Sequence, residues 1–395
     1  GLGLYAIHDD EDAAEVMGVP TYRYKLVAFA ISCALAGAAG GIQSLFVSYV
    51  TAGSTFNITV PLTVILMSVL GGTRHWAGPA LGATAITLLL YASTAADQAV
   101  MGKAATGAIL VAAVLFMPNG ILGLRRRGTP ARPAVPPPDA LPVFARRETA
   151  RRAGETLLSV RGLHKSFKGV CALAGVDLDL REGEIMGILG PNGSGKSTLI
   201  NVISGHYRAD AGSLRFAGTE LASLPAHRIA RAGIARTYQI PRPFPKLPVR
   251  DNVALTAMFG TAALDRAGAD TAADRWLEFT GLGGRGPLRP GELTLHQTKF
   301  LELARALAAR PRLLMLDEVL SGLTPAEIDE AVELIRGIRD QGTTILLVEH
   351  VMRAITALSD RIVVLDQGRV LAQGAASEVM ARGDVAIAYL GAAHA

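Results

Sequence analysis

The chain has 395 residues and a mass of 41.3 kDa, too long for one ordinary domain and pointing to two or three. Half of its residues are hydrophobic, 18% are charged and the mean hydropathy is +0.32, a balance that excludes a disordered chain. Two cysteines, Cys33 and Cys171, exclude a disulfide scaffold and a Cys-based zinc module, and a net charge of +5 is too mild to imply a nucleic-acid partner.

The chain begins on Gly1 rather than methionine, and its first segment reads as internal, so that further segments are expected to be missing or encoded elsewhere. Glu11–Gly18 reads as a short amphipathic helix closed by Gly18 as a C-cap. Placed ahead of membrane spans, its Glu-Ala-Ala pattern and downstream glycine resemble the cytosolic coupling helix of import permeases, so it is expected to dock in the cassette near Gln239.

From Leu26 to Leu124 the only charges are Arg74, Asp97 and Lys103. Four apolar stretches follow one another there, about Leu26–Val50, Phe56–Gly72, Ala77–Ser93 and Ala104–Leu124. A bilayer core about 30 Å thick takes roughly 17–25 apolar helical residues, so four spans are expected. Small residues at Ala34, Ala36, Gly37, Ala38, Gly40 and Gly41, and at Gly78, Ala80, Gly82 and Ala83, suit close helix packing in lipid. No cleavable signal peptide is visible, because the first apolar stretch follows an acidic segment. Arg23, Lys25, Arg74 and Arg125–Arg127 place both ends of this region in the cytosol by the positive-inside rule. The expected organisation is a partial transmembrane permease domain over 1–124, a linker over 125–155 and a soluble domain over 156–395.

The linker carries six prolines between Pro130 and Pro142, three of them consecutive at Pro136–Pro138, which favour an extended tether. Its arginines, Arg146, Arg147, Arg151 and Arg152 among them, set topology or meet anionic head groups.

In the soluble part, Ile185–Leu189 is a continuous apolar run expected as a buried strand. It feeds Gly190-Pro191-Asn192-Gly193-Ser194-Gly195-Lys196-Ser197-Thr198, a complete phosphate loop, and then a helix from Thr198. Glycines let backbone N–H groups wrap phosphates, Lys196 reaches the β- and γ-phosphates, and Ser197 ligates Mg²⁺. Downstream, Leu313–Leu316 is a strand ending in Asp317 and Glu318, placed to hold the metal and to deprotonate the attacking water. A further strand, Thr344–Val348, ends in Glu349 and His350, and His350 is placed to sense the γ-phosphate.

These motifs together resemble an ATP-binding cassette (ABC) domain from Thr156 to the C-terminus. The resemblance implies an α/β P-loop ATPase with a helical subdomain, beside an α-helical membrane domain. It implies that Phe167 stacks on adenine, and that Gln239, in Arg236-Thr237-Tyr238-Gln239, contacts Mg²⁺ and water and couples to the permease. Asp317, Glu318 and His350 match the Walker B aspartate, the catalytic glutamate and the switch histidine. Val363–Val370 resembles the family's late hairpin, with its turn at Gln367-Gly368.

The run Ala235–Val249 and the tail Ala388-Tyr389-Leu390-Gly391 resemble the cassettes of branched-chain (hydrophobic) amino acid importers. Ala6–Asp10 through Gly18, Tyr24-Lys25-Leu26, Leu70-Gly71-Gly72 and Trp76-Ala77-Gly78-Pro79 resemble the permease of the same system. The resemblance implies a permease–ATPase fusion of the bacterial inner membrane, with the cassette on the cytoplasmic side. ATP and Mg²⁺ are the implied cofactors. The implied partners are a second cassette, a second permease subunit, a periplasmic binding protein and an amino-acid substrate. Three alternatives remain: an importer of urea or short amides with the same architecture, a slow cassette that regulates rather than drives, and a soluble P-loop ATPase with a hydrophobic anchor.

The signature departs from the family's Leu-Ser-Gly-Gly-Gln and reads Leu293-Thr294-Leu295-His296-Gln297. Thr294 keeps a hydroxyl and a helix cap. Thr294, His296 and Gln297 are expected to face the γ-phosphate held by a partner cassette, with His296 either obstructing the approach or supplying a contact. Phe300 stands where a basic residue is usual, Val319 where proline is usual, and Thr324 where the family has Asp or Asn.

Overall fold

In this computed structural model the residues described are 1–47, 58–72, 77–95 and 154–382, with positions 53, 107 and 108. The fourth expected span (two positions aside), the linker before Gly154, the charges at Arg74, Asp97, Lys103 and Arg125–Arg127, and the tail Ala388–Gly391 lie outside the described residues. The chain divides into two compact units, one of Gly1–Phe29 with Arg132–Ala395 and the other of Ala30–Ala131.

The described residues of the first unit contain ten strands: β1 Thr156–Phe167, β2 Val170–Arg181, β3 Ile185–Leu189, β4 Ala211–Phe216, β5 Thr219–Glu220, β6 Ile234–Arg236, β7 Leu313–Asp317, β8 Thr344–Val348, β9 Arg361–Asp366 and β10 Arg369–Ala375. An antiparallel sheet has the order β2-β1-β4-β5, and a second sheet the order β10-β9-β3-β8-β7-β6, parallel except for β10. Every residue of β3, β7 and β8 is buried, as strands that are apolar but for Asp317 and Thr344 require in a sheet covered on both faces. One core lies between the two sheets and the helix Lys196–Ile203. Another joins the parallel sheet to the helices Val249–Phe259, Arg266–Phe279 and Leu295–Ala308, the expected helical subdomain. The hairpin of β9 and β10 turns at Gln367 and Gly368, both at positive φ, as expected.

The N-terminal segment packs with this unit. It forms two helices, Leu2–Asp9 and Glu11–Val16, the second slightly shorter than expected because Asp10 caps its start and Met17 closes it. The Asp10 carboxylate accepts from the Ala13 N–H at 2.9 Å. Ala6, Ala13, Ala14, Met17 and Val19 bury against Phe244, Leu247 and Leu255. Burying Met17 and Val19 contributes about 1.5–3 kcal/mol each. Acidic residues of the segment meet basic ones of the cassette: Asp9 with Lys246 at 2.8 Å, Asp10 with Arg242 at 3.6 Å, and Glu15 with His227 at 3.4 Å. Gly18 has φ +94°, and a Cβ there would lie 2.3 Å from the Phe259 carbonyl oxygen.

In the second unit, the helices Thr59–Gly71 and Gly78–Ala95 approach so closely that a Cβ on Gly71 would lie 1.7 Å from the Gly78 carbonyl oxygen, and one on Gly82 1.8 Å from that of Met67. Small residues make this contact possible, as expected for Gly78 and Gly82. Gly37, Gly40 and Gly41 face no neighbour within 4 Å among the described residues. One helix, Thr21–Phe46, with mean hydropathy 1.7, is long and apolar enough to cross a membrane. The apolar stretches Val60–Gly71 and Gly78–Ala92 are shorter, so among the described residues one of the four expected spans reaches full length.

A side chain at Gly18 meets both a left-handed backbone and the Phe259 carbonyl. Gly18→Val is expected to weaken docking of the N-terminal segment by about 1–3 kcal/mol. Hydrogen exchange of the Glu11–Val16 amides in the full chain should then quicken roughly 5- to 100-fold; unchanged protection would refute the steric role of Gly18.

Candidate active site

The phosphate loop leaves β3 at Leu189 and enters the helix Lys196–Ile203, two residues earlier than expected. Gly195, at φ +105°, caps that helix, and a Cβ there would lie 2.5 Å from the Ala172 carbonyl oxygen. Lys196 is buried and its Nζ donates to the carbonyls of Gly190 at 2.7 Å and Pro191 at 2.9 Å. Burial pushes the Lys196 ammonium below its usual range, while Glu318 and Asp317 hold it up. The Ser194 hydroxyl is buried without a hydrogen-bond partner. Asn192, Gly193 and Ser197 are exposed and Thr198 is half-buried. An orphaned donor, a lysine folded over the loop and a cradle that a Cβ would fill are the features a polyphosphate needs.

Asp317 ends β7, buried, with Arg236 Nη2 at 3.5 Å. Burial pushes its carboxyl up, Arg236 opposes that, and Glu318 adds to it. Arg236 is itself buried and donates to Asn201 Oδ1 at 2.6 Å and Ser204 Oγ at 3.1 Å. Glu318 adopts φ +50°, and its carboxylate is gripped from two sides. Gln239 Nε2 donates to Oε2 at 2.6 Å, and His350 Nε2 lies 2.7 Å from Oε1. Two side chains far apart in sequence, Gln239 expected from the resemblance and His350 from its strand end, therefore converge on the Glu318 carboxylate. Each of its oxygens keeps a second lone pair for water. Among the described residues no group of three or more His, Cys, Asp or Glu is placed to hold a metal. Asp317 and the Ser197 hydroxyl are oxygen donors of the kind that Mg²⁺ takes when phosphates complete its shell.

Phe167 is 38% exposed at the end of β1, so it is not a core residue. Tyr207 meets it edge-on at 5.0 Å and Lys165 Nζ lies 5.3 Å from its ring centre. Neither neighbour is marked by the motifs.

The signature turn is a capping box. Thr294 Oγ1 accepts from the Gln297 N–H at 3.3 Å, and Gln297 Oε1 accepts from the Thr294 N–H at 3.1 Å. The His296 ring lies against Phe300, with centroids 4.3 Å apart and planes tilted by 49°, and Glu327 and Glu330 are 4.0 Å and 3.9 Å from its nitrogens. It is thus turned toward the helix Pro325–Asp340 of its own chain. Phe300, in place of a basic residue, supplies that contact surface. Thr324 caps the same helix in a second box with Glu327, which accounts for a hydroxyl at that position. Among the described residues, no hydrogen bond or ion pair joins Thr294, His296 or Gln297 to the phosphate loop.

Residues 173–321, which carry this arrangement, match the ABC transporter family model. The high-affinity branched-chain amino acid transport ATP-binding protein of Pseudomonas aeruginosa is 38% identical over 251 residues, 60% of this chain and 98% of that protein. The chain belongs to the ABC transporter family. Its counterpart of the same description in Escherichia coli is 38% identical over 254 residues, 60% of this chain and 99% of that protein. The ADP conformation of MJ1267, an ATP-binding cassette of an ABC transporter, superposes with a TM-score of 0.54 at 28% identity, over 60% of this chain and 99% of that one. Residues 1–116 match the model of the branched-chain amino acid transport system permease component. One polypeptide therefore joins a permease part to an ABC-type ATPase.

If a partner's phosphate approaches the turn at Thr294–Gln297, the His296 side chain stands at a position the family leaves to glycine. Losing one charge-assisted contact in the transition state costs about 1.5–3 kcal/mol, roughly 10- to 100-fold in rate. His296→Gly is expected to raise steady-state ATPase activity of the full chain within that range. A fall instead would mean that the imidazole is a working phosphate ligand.

Proposed function

We propose that this chain is the energised component of an importer of branched-chain or other hydrophobic amino acids in the bacterial inner membrane, its cassette on the cytoplasmic side. The observation that carries the reading is the Gln239–Glu318–His350 cluster in a chain that also carries a permease part. The names of the relatives and of the permease family support the substrate class.

In this reading Gly190, Asn192, Gly193, Ser194, Gly195, Lys196, Ser197 and Thr198 hold the phosphates and Phe167 supports adenine. Ser197, Asp317 and Gln239 hold Mg²⁺, which when bound neutralises phosphate charge. Glu318 takes a proton from the attacking water on a free lone pair. His350 and Gln239 fix the carboxylate's orientation, and the left-handed backbone at Glu318 aims it. The turn Thr294–Gln297 faces the nucleotide of a second cassette, closed head-to-tail, with the His296 ring turned aside toward its own chain. A second permease subunit and a periplasmic binding protein complete the importer.

Coupling runs through the docked N-terminal segment. The residues that follow Gln239, Arg242 to Leu247, are the ones that meet Asp9, Asp10 and Ala14. A slow, regulatory cassette is the second reading, favoured by the bulky His296 in the signature turn.

The test is ATP turnover by the full chain in liposomes, together with leucine uptake when partner subunits are present. Glu318→Gln should abolish turnover while ATP still binds, and Lys196→Ala should weaken ATP binding about tenfold or more, as loss of a charge-assisted contact implies. Turnover surviving in Glu318→Gln would remove the general-base reading, and unchanged affinity in Lys196→Ala the phosphate-loop assignment. Uptake of urea or short amides in place of leucine would move the substrate class.

A further inference from the structure

The residue before His350 is a buried carboxylate that neither the hydrolytic cluster nor the fold accounts for. Glu349 follows β8, whose five residues are all buried, and is 1% exposed. An apolar side chain would fill such a place without the cost of desolvating an acid. Its Oε1 accepts the backbone N–H of Leu320 at 2.8 Å, while Oε2 has no hydrogen-bond partner. Burial pushes the carboxyl up to about 7, with Glu318 acting in the same sense; the Leu320 N–H, Lys299 and the His350 N–H oppose it.

Leu320 belongs to the turn that carries Glu318. That turn is held from the other side by Lys299, on the helix Leu295–Ala308. Lys299 is buried and its Nζ donates to the carbonyls of Glu318 at 3.3 Å, Val319 at 3.1 Å and Ser321. The turn begins with Glu318 in a left-handed conformation that a non-glycine residue holds only when its surroundings impose it. It lacks the proline that would stiffen it after Glu318, since Val319 stands there. Two buried side chains, one from the signature helix and one from the strand end that carries His350, therefore fasten the backbone of residues 318–321.

We propose that Glu349 is a positioning residue for hydrolysis: by holding the Leu320 N–H it fixes the turn so that the Glu318 carboxylate stays between Gln239 and His350. The inference rests on Glu318 being the general base. Lys299 is the second fastening, and its three carbonyl contacts require the protonated amine. A protonated Glu349 still offers a carbonyl oxygen to Leu320, so the fastening persists through neutral pH.

The test compares Glu349→Ala and Glu349→Gln in the full chain, reading kcat, KM for ATP and thermal unfolding. Glu349→Ala is expected to lower kcat about 10- to 100-fold, the scale of a misplaced catalytic group, with KM nearly unchanged. Glu349→Gln, which keeps the acceptor, should retain at least about half of the parent kcat, as rescue through the same contact implies. Because burial raises the Glu349 carboxyl, its ionisation opposes folding above pH 7. Glu349→Gln is therefore expected to unfold at no lower temperature than the parent at pH 8. Three results would each overturn the proposal: parent kcat in Glu349→Ala, equal losses in both variants, or a loss in Glu349→Ala that lies in KM and ATP binding. Failure of the general-base reading shows separately, as turnover persisting in Glu318→Gln.

Discussion

Three ionic side chains, Lys299, Glu302 and Arg305, lie buried on the single helix Leu295–Ala308. A buried charge left unmet costs several kcal/mol, so each of the three must be answered by another segment. Lys299 is answered by the carbonyls of the Glu318 turn. Glu302 accepts the Arg242 N–H at 3.0 Å and pairs with Arg305. Arg305 donates to the Arg242 carbonyl at 2.8 Å, covers the Phe244 ring at 4.8 Å and reaches Met17 Sδ at 2.8 Å. The helix that opens with the signature turn thus ties together the hydrolytic turn, the segment after Gln239 and the docked N-terminus.

The consequence is mechanical. The segment from Arg236 to Leu247 touches Asp317 at one end, through Arg236, and Asp9 and Asp10 at the other, through Lys246 and Arg242. Tyr238 stands between, its buried ring flanked by the guanidinium groups of Arg236 at 4.6 Å and Arg242 at 5.3 Å. Burial pushes the Tyr238 hydroxyl up to about 12, so it stays neutral between the two cations. A shift of Gln239 away from Glu318 cannot leave this stack untouched, because close-packed interiors transmit displacement rather than absorb it. The proposed coupling needs nothing longer than these few contacts.

Much of this was legible in the sequence because local chemistry fixes it. The phosphate loop, the strand ends at Asp317 and His350, and the capping threonine at Thr294 each follow from a short run whose residues interact among themselves. The helix Glu11–Val16 was legible from its amphipathic pattern and Gly18, and its docking only from the resemblance to a permease's coupling helix. The buried ions were not: Arg236, Lys299, Glu302 and Arg305 look in sequence like ordinary surface charges on amphipathic segments, and only tertiary contact gives them partners. Glu349 was visible beside His350 yet carried no motif of its own. The orientation of His296 depends on Phe300 and on two glutamates some thirty residues away, which no local pattern encodes.

The central claim is that the docked N-terminal segment and the hydrolytic carboxylate belong to one mechanical unit. Its most direct test is the ATPase rate of the full chain in liposomes after Asp10→Asn and Glu15→Gln are introduced together, two half-buried carboxylates that pair with the cassette's basic residues; Asp10 also caps its own helix, a role that Asn keeps. The account predicts a fall in kcat of about fivefold or more, the lower end of measured couplings between sites, with ATP binding and the unfolding temperature retained. A kcat equal to that of the parent, with the segment shown by hydrogen exchange to be released, would contradict it.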